Sequence, residues 1–479
     1  MKTGMKQLYR AAGAAVLVAL QLIWIPAGVW AGKEATSTLE EQRSCAVTIY
    51  NSNLGLVKDV RSLSIPTGVL SLTFEGVASQ IDATSVHIRS LTDPDALSVL
   101  EQNFEYDLIS PAKLMEKYLG REVELITRED SGERVTKARL IGVQQGYVYE
   151  VGDKIAINPP GRVVLPDLPE GLISKPSLIW LLDNGRREHT IEASYLTGGL
   201  NWRANYVAVL SGDDSSLDLS GWVTIDNTSG ATFTDAALKL IAGDVNRVQQ
   251  AQPRAMAYAV EKELHVRGGA DMVEKAFFEY HMYTLQRRTT LKNNQTKQIR
   301  LMEAVGASVR KQYVYSSQRT YFYGLTRDID TDTKVGVYLE LENSEENNMG
   351  MPLPMGIVRV FKKDEDGSLE FLGEDRIDHT PKDEKIRIKM GNAFDIVAER
   401  VQTDFKQYRN TYESAYKITV RNHKEEDVVV TVVERITGDW NIQEHSHPFT
   451  RESATRVTFD LPVEKDGETV LTYRVIIKR

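Results

Sequence analysis

A single cysteine, Cys45, is all the thiol this chain carries. One thiol closes no internal disulfide and builds no zinc–thiolate cluster, so stability has to come from a packed core. Cys45 stands in the strand-like stretch Cys-Ala-Val-Thr-Ile-Tyr and reads as a small buried hydrophobe. Also missing are a Gly-x-Ser-x-Gly elbow, a phosphate-binding glycine loop, a dinucleotide fingerprint and a His-Glu-x-x-His helix. None of the familiar nucleophilic, nucleotide-binding or zinc-protease chemistries therefore has its local signature. After the first 31 residues no long uncharged apolar run recurs, so the mature chain is expected to be soluble. Basic charge is in deficit: the formal charge is −9, and losing Lys2, Lys6 and Arg10 with the first 31 residues takes it to −12. An acidic chain of this kind is repelled by nucleic-acid phosphates and by anionic membranes.

What is present begins with an export signal. Lys2, Lys6 and Arg10 precede the apolar run Ala11 to Trp24, followed by Pro26 and then Val29-Trp30-Ala31 with small residues at cleavage-type positions. An uncleaved anchor is the alternative, because Ala11 to Trp30 is long enough to cross a bilayer. Gln21, Pro26 and Ala31-Gly32 favour cleavage, which places the protein in the periplasm, the cell envelope or outside the cell.

The mature chain is read as mainly β, at a length that suits roughly two to four domains. Short strand patterns punctuated by Gly, Pro and Asn make residues 45–105 an N-terminal β-module. Over 106–170 a capped helix (Ser110 as cap, Pro111 in the first turn, Gly120 as stop) leads into short strands resembling a small SH3- or Sm-like barrel. Period-two alternation over 171–250 gives sandwich strands, with Trp202 and Trp222 expected in the core. Residues 251–312 read as a linker or insertion of mixed structure, with a strand from Phe278 onward. Residues 313–479 read as an immunoglobulin-like β-sandwich, with Trp440 in its core.

The densest run of charge lies between Phe371 and Met390. There Asp378, His379 and Asp383 are candidate metal ligands or an acid–base pair, since carboxylate and imidazole serve both roles. Charges of alternating sign around Thr380-Pro381 equally suit an ion-paired turn at a sandwich end, and that structural reading is preferred. His445 and His447 stand at i, i+2, one face of a strand, as a metal site can require, but Pro448 follows at once. Asp328, Asp330 and Asp332 have calcium-loop spacing without the turn glycine or the closing glutamate, so an acidic turn is preferred. Tyr313, Tyr315, Tyr321 and Tyr323 form two same-face pairs that would stack on sugar rings if exposed and would be core if buried. No cofactor is indicated.

Several longer phrases go beyond pattern. Tyr195-Leu-Thr-Gly-Gly-Leu-Asn-Trp-Arg-Ala-Asn-Tyr, Leu219-Ser-Gly-Trp-Val-Thr-Ile-Asp-Asn-Thr-Ser-Gly and Leu238-Lys-Leu-Ile-Ala-Gly-Asp-Val-Asn are three of them. Gly373-Glu-Asp-Arg-Ile-Asp-His-Thr-Pro-Lys-Asp-Glu, Ala393-Phe-Asp and Gly438-Asp-Trp complete the set. Together, from about Ser177 to the C-terminus, they resemble the bacterial domain-of-unknown-function 4139 family, distantly similar to mucoidy-inhibitor-type proteins. The resemblance implies a β-rich envelope or secreted protein and brings no catalytic residue with it. The coiled-coil helices of the mucoidy-inhibitor relatives are not evident in this sequence. The expectation is an exported, non-enzymatic envelope protein that binds or scaffolds a protein or polysaccharide. A metal-dependent hydrolase centred on Asp378 and His379, and a carbohydrate-binding module using the tyrosines, are the alternatives.

Overall fold

The computed structural model describes residues 33–478, apart from 130–131, 145, 170–171, 244–271, 317–321, 326–333 and 365. The export signal, Tyr321, the Asp328–Asp332 turn and residues 251–271 of the expected linker fall outside the described residues. The described chain is mainly β, arranged in several multi-stranded sheets with one short α-helix.

The largest core joins strands from distant parts of the sequence. Gln42–Tyr50 pairs antiparallel with Leu54–Ser64 on one side and parallel with Phe233–Ala242 on the other. Glu188–Thr197 closes on Leu54–Ser64 and on His87–Ser90. A second sheet, ordered Lys33–Ser37, Gly68–Glu75, Ser177–Asn184 and Leu97–Glu105, contributes Leu70, Leu72, Phe74 and Trp180 to the same core. Residues 45–105 and 171–250 are therefore interleaved and not successive modules. Alternation fixes which face of a strand is buried but leaves its partner open, and here the partners lie more than a hundred residues away.

The described part of the expected insertion, 272–312, is mostly strand. Met272–Phe277 and Tyr280–Leu285 form a hairpin at the edge of the largest-core sheet, so the turn falls at Phe278, where a strand was expected to begin. Gln295–Ser308 then pairs with Ser216–Asn227. In that second strand Gly221 and Val223 point inward, which turns Trp222 outward to 37% exposure, whereas Trp202 and Trp440 are buried. Trp222 thus departs from its expected core position because of strand parity.

A smaller unit sits between Leu97–Glu105 and Ser177–Asn184. Ser110 caps the helix Pro111–Lys117 by accepting from the Lys113 N–H at 3.2 Å. Met115 and Tyr118 pack on Val123, Leu140 and Tyr149 of a five-stranded sheet that has a core of its own.

The C-terminal residues build a nine-stranded sheet around Val430, Phe459, Tyr473 and Ile477. Part of 313–479 also belongs to the first core. Gly356–Lys363 pairs parallel with Leu200–Leu210. Leu339, Leu341, Val358, Ile386 and Ile388 pack among the first-core residues, whereas Val335, Ile396 and Ala398 pack in the second. Two antiparallel strands, Lys334–Glu342 and the long Lys385–Tyr408, thus run from one core into the other.

Candidate functional site

The candidate site lies where those two strands change cores. Lys334 is opposite Val397, yet Gly336 is opposite Asn392, so a two-residue step on one strand faces a five-residue step on the other. The surplus residues bulge outward. Gly391, at φ +140°, makes the bend with a backbone that residues bearing a Cβ rarely adopt. Phe394 rides on the bulge and is 95% exposed. Bulges of this kind re-aim side chains and recur beside functional sites. A phenyl ring held almost wholly in water forgoes the burial of a large apolar surface.

Beneath Phe394 is a cleft of about 310 Å³ between the two cores. Leu210, Val337, Leu339, Leu372, Met390 and Tyr313 supply its apolar surface. Its polar wall is assembled from three separate regions. Asp214, in the turn after Leu200–Leu210, accepts from Lys311 at 2.7 Å and from Lys362 at 2.5 Å. Lys424 donates to the Tyr313 hydroxyl at 3.1 Å and pairs with Glu426. The Lys311 and Lys424 ammonium groups lie 5.7 and 5.6 Å from the Tyr313 ring centre, one partner ring shared by two cations.

The electrostatics keep this wall ionised. Burial alone would raise the Asp214 carboxyl, but hydrogen bonds and charge from Lys311 and Lys362 hold it below the usual carboxylate range. Burial works against the Lys311 ammonium, yet Asp214 and Tyr313 raise its pKa; Lys424 is raised in the same way by Glu426 and Tyr313. By linkage, Asp214 stabilises the fold above its unfolded pKa near 3.9 and stops doing so as pH falls through its lower folded value. The raised lysines stabilise below about 10.4 and lose that effect as pH climbs past their folded values. Asp214, Lys311 and Lys424 are therefore charged throughout the neutral range.

The charged stretch that dominates the sequence borders this cleft and ties the two sheets together. Asp375 accepts from the Lys389 N–H at 2.7 Å, and a Cβ at Gly373 would stand 2.7 Å from the Met390 carbonyl oxygen, so only glycine permits that approach. Arg359 pairs with Glu374 at 3.0 Å and Lys382 with Glu345 at 2.6 Å. At the turn, the buried Asn343 amide donates to the carbonyls of Met351 and Pro381, each at 2.9 Å. His379 Nδ1 accepts from the Met355 N–H at 3.2 Å; Asp383 occupies a left-handed turn position and donates its N–H to Asn343 O. Asp378 accepts from the Thr380 hydroxyl through its backbone oxygen.

The other sequence candidates scatter. His445 Nδ1 donates to the His447 carbonyl at 2.9 Å and its ring meets Phe449 edge-on, while His447 Nδ1 bonds the Ser446 hydroxyl. Among the described residues no three His, Cys, Asp or Glu side chains converge as a metal site requires. Tyr315 is buried in the second core, and Tyr323 donates to the Thr437 carbonyl and packs edge-on against Tyr412. Among the described members of that set, Tyr313 alone reaches the cleft. Cys45 is buried, and desolvation, with Asp59 adding to it, pushes its thiol up to about 12.

Sequence reading missed Asp214, Lys362, Lys424 and Phe394. The available signal was Gly391-Asn392 interrupting a strand pattern, a bulge cue, directly before an aromatic. No family model matches the chain, and no curated protein is significantly similar to it. Among the described residues no helix is long and apolar enough to cross a membrane.

Proposed function

We propose that this is an exported, non-enzymatic protein of a bacterial envelope that binds a partner through the cleft between its two cores. The observation that carries the reading is Phe394, almost fully exposed on a bulge at the rim of an apolar cleft. Export rests on the basic–apolar–small pattern of residues 1–31, and the envelope setting is supported by the family resemblance of 177–479. A sugar-stacking role for Tyr313 and Tyr315 has little support, because both rings are buried. A hydrolase centred on Asp378 and His379 has little either, because both take part in backbone hydrogen bonding at the corner.

The test immobilises the mature chain and its Phe394→Ser variant and passes envelope extract over both. The wild type is expected to retain a protein or polysaccharide that the variant loses, since truncating an aromatic hot-spot residue costs about 2 kcal/mol or more of binding. Equal retention by the two would remove the cleft from the account. Folding of the variant is expected to be unchanged, because Phe394 contributes almost no buried surface.

A further inference from the structure

Trp222 belongs to a second surface, the outer face of the five-stranded sheet that runs Gln295–Ser308, Ser216–Asn227, Leu200–Leu210, Gly356–Lys363 and Leu369–Ile377. Register sets Arg300, Trp222, Asn205, Ile357 and Arg376 side by side in one row of that face. Glu303, Ser220, Val207, Arg359 and Glu374 form the next row, and Val209, Phe361 and Phe371 lie in the one after. The face is open: Trp222 is 37% and Phe371 55% exposed, and Val207, Ile357 and Phe361 are partly so. Asn205 Nδ2 and Gln298 Nε2 both donate to the Thr224 hydroxyl, at 2.9 and 3.3 Å, which fixes two amides beside the indole. Phe371 is held edge-on against Phe361 at 5.5 Å. Strand spacing and rise put Trp222 and Phe371 about 20 Å apart, on a diagonal that passes Val207 and Arg359. The charges of the face are largely paired within it: Arg203 with Asp226, Arg300 with Glu303 at 2.8 Å and Arg359 with Glu374 at 3.0 Å. Arg376, Lys363 and Asp218 complete it, five basic side chains against four acidic ones.

We infer that this face binds an uncharged polysaccharide of β-1,4-linked pyranoses, at a site separate from the cleft. Equatorial linkages make such a chain a flat ribbon, which lies along a sheet face, whereas an α-1,4-linked chain coils away from it. The C–H faces of its rings stack on Trp222 and Phe371, because an aromatic ring offers broad area with a polarised face. Its hydroxyls, which both donate and accept, donate to Glu374 and Glu303 and accept from Arg359 and the Asn205 amide. A charged polymer gains little from a surface whose arginines already hold their acids, so charge complementarity favours the neutral chain. The separation of the two aromatics calls for several sugar units and not one.

The experiment titrates the mature protein with cellohexaose, chitohexaose, cellobiose and maltohexaose by isothermal calorimetry. At least one of the two β-1,4-linked hexaoses is expected to bind about tenfold or more tighter than cellobiose and than maltohexaose. Trp222→Ala and Phe371→Ser are each expected to weaken that hexaose about tenfold or more, as loss of an aromatic anchor does. Phe371, about half exposed, keeps the test valid should Trp222→Ala fold poorly. Ile155→Ser removes an apolar side chain, 67% exposed, from the small five-stranded sheet and is expected to keep full affinity. Affinity electrophoresis is expected to show retardation by hydroxyethylcellulose and less by carboxymethylcellulose. Binding of neither β-1,4-linked hexaose to the wild type overturns the proposal, as does full affinity in both aromatic variants. Equal affinity for cellobiose overturns the spanning of the two aromatics, equal affinity for maltohexaose overturns the flat ribbon, and stronger retardation by carboxymethylcellulose overturns the neutral ligand. Loss of binding in Ile155→Ser places the sugar elsewhere and overturns the site.

Discussion

Arg400→Met is expected to destabilise the C-terminal nine-stranded sheet by about 3–5 kcal/mol, whereas Arg400→Met combined with Glu434→Leu is expected to recover most of that loss. Arg400 and Glu434 are both buried, 6% and 2% exposed at their side chains, and meet through Nε–Oε1 at 2.7 Å and Nη2–Oε2 at 3.3 Å. The guanidinium lies 3.8 Å from the Tyr416 ring centre, so the cation has an aromatic face as well as an acid. Its pKa is raised because the Glu434 charge outweighs the opposing desolvation. Removing the arginine leaves the buried Glu434 carboxylate without its partner. Removing both charges leaves neither ion unpaired. Denaturant unfolding of the two singles and the double between pH 4 and pH 8 measures the coupling. A single variant within about 0.5 kcal/mol of wild type would mean that the pair is solvated.

Arg61→Met is expected to cost as much, about 3–5 kcal/mol, but without recovery in a double variant. Arg61 is fully buried and joins two sheets. Its Nη2 reaches Asp59 Oδ2 and the Glu75 carbonyl, each at 2.8 Å, and its Nη1 reaches the Ser37 carbonyl at 3.0 Å. The guanidinium carbon stands 3.5 Å from the Phe74 ring centre. Two of these partners are backbone oxygens, which no substitution at Asp59 satisfies. Arg61→Met with Asp59→Leu therefore still leaves orphan carbonyls, worth about 1–3 kcal/mol each when buried. Arg61→Lys is expected to fail too, because an ammonium lacks the planar fork that reaches all three partners. Peptide-resolved hydrogen exchange checks where the loss falls. The Lys33–Ser37 and Gly68–Glu75 strands should lose protection while Val428–Arg435 keeps it. Recovery by the double variant would show that the carbonyls are hydrated without Arg61.

Face patterns were legible in the sequence, because a period of two needs only neighbours. Ile191, Ala193 and Tyr195 are buried together, as are Tyr416, Ile418 and Val420. The helix start was legible as well, since Ser110 and Pro111 act locally. Partner choice was not. Nothing local to Gln42–Tyr50 announces a parallel neighbour at Phe233–Ala242, or that Lys334–Glu342 contributes Val335 to one core and Leu339 to another. The same limit hid the cleft. Lys311 sits on a legible strand, but Asp214, Lys362 and Lys424 reach it only through pairings among three regions of chain. The charged stretch at Glu374–Glu384 drew attention by its density, and its visible contacts tie the corner to neighbouring strands. Phe394 entered the sequence reading only within the phrase Ala393-Phe-Asp, because exposure at a bulge depends on the partner strand's register.

The central claim is that the cleft between the two cores is where this protein binds. Methyl-labelled mature protein titrated with the envelope-extract fraction that the immobilised wild type retains, and followed by nuclear magnetic resonance, tests it most directly. Saturable shifts at Leu210, Val337, Leu339, Leu372 and Met390, with the methyls of Val430, Leu461 and Ile477 in the C-terminal core unmoved, are the expected result. Saturable shifts confined to other methyls, with those five silent, would contradict it.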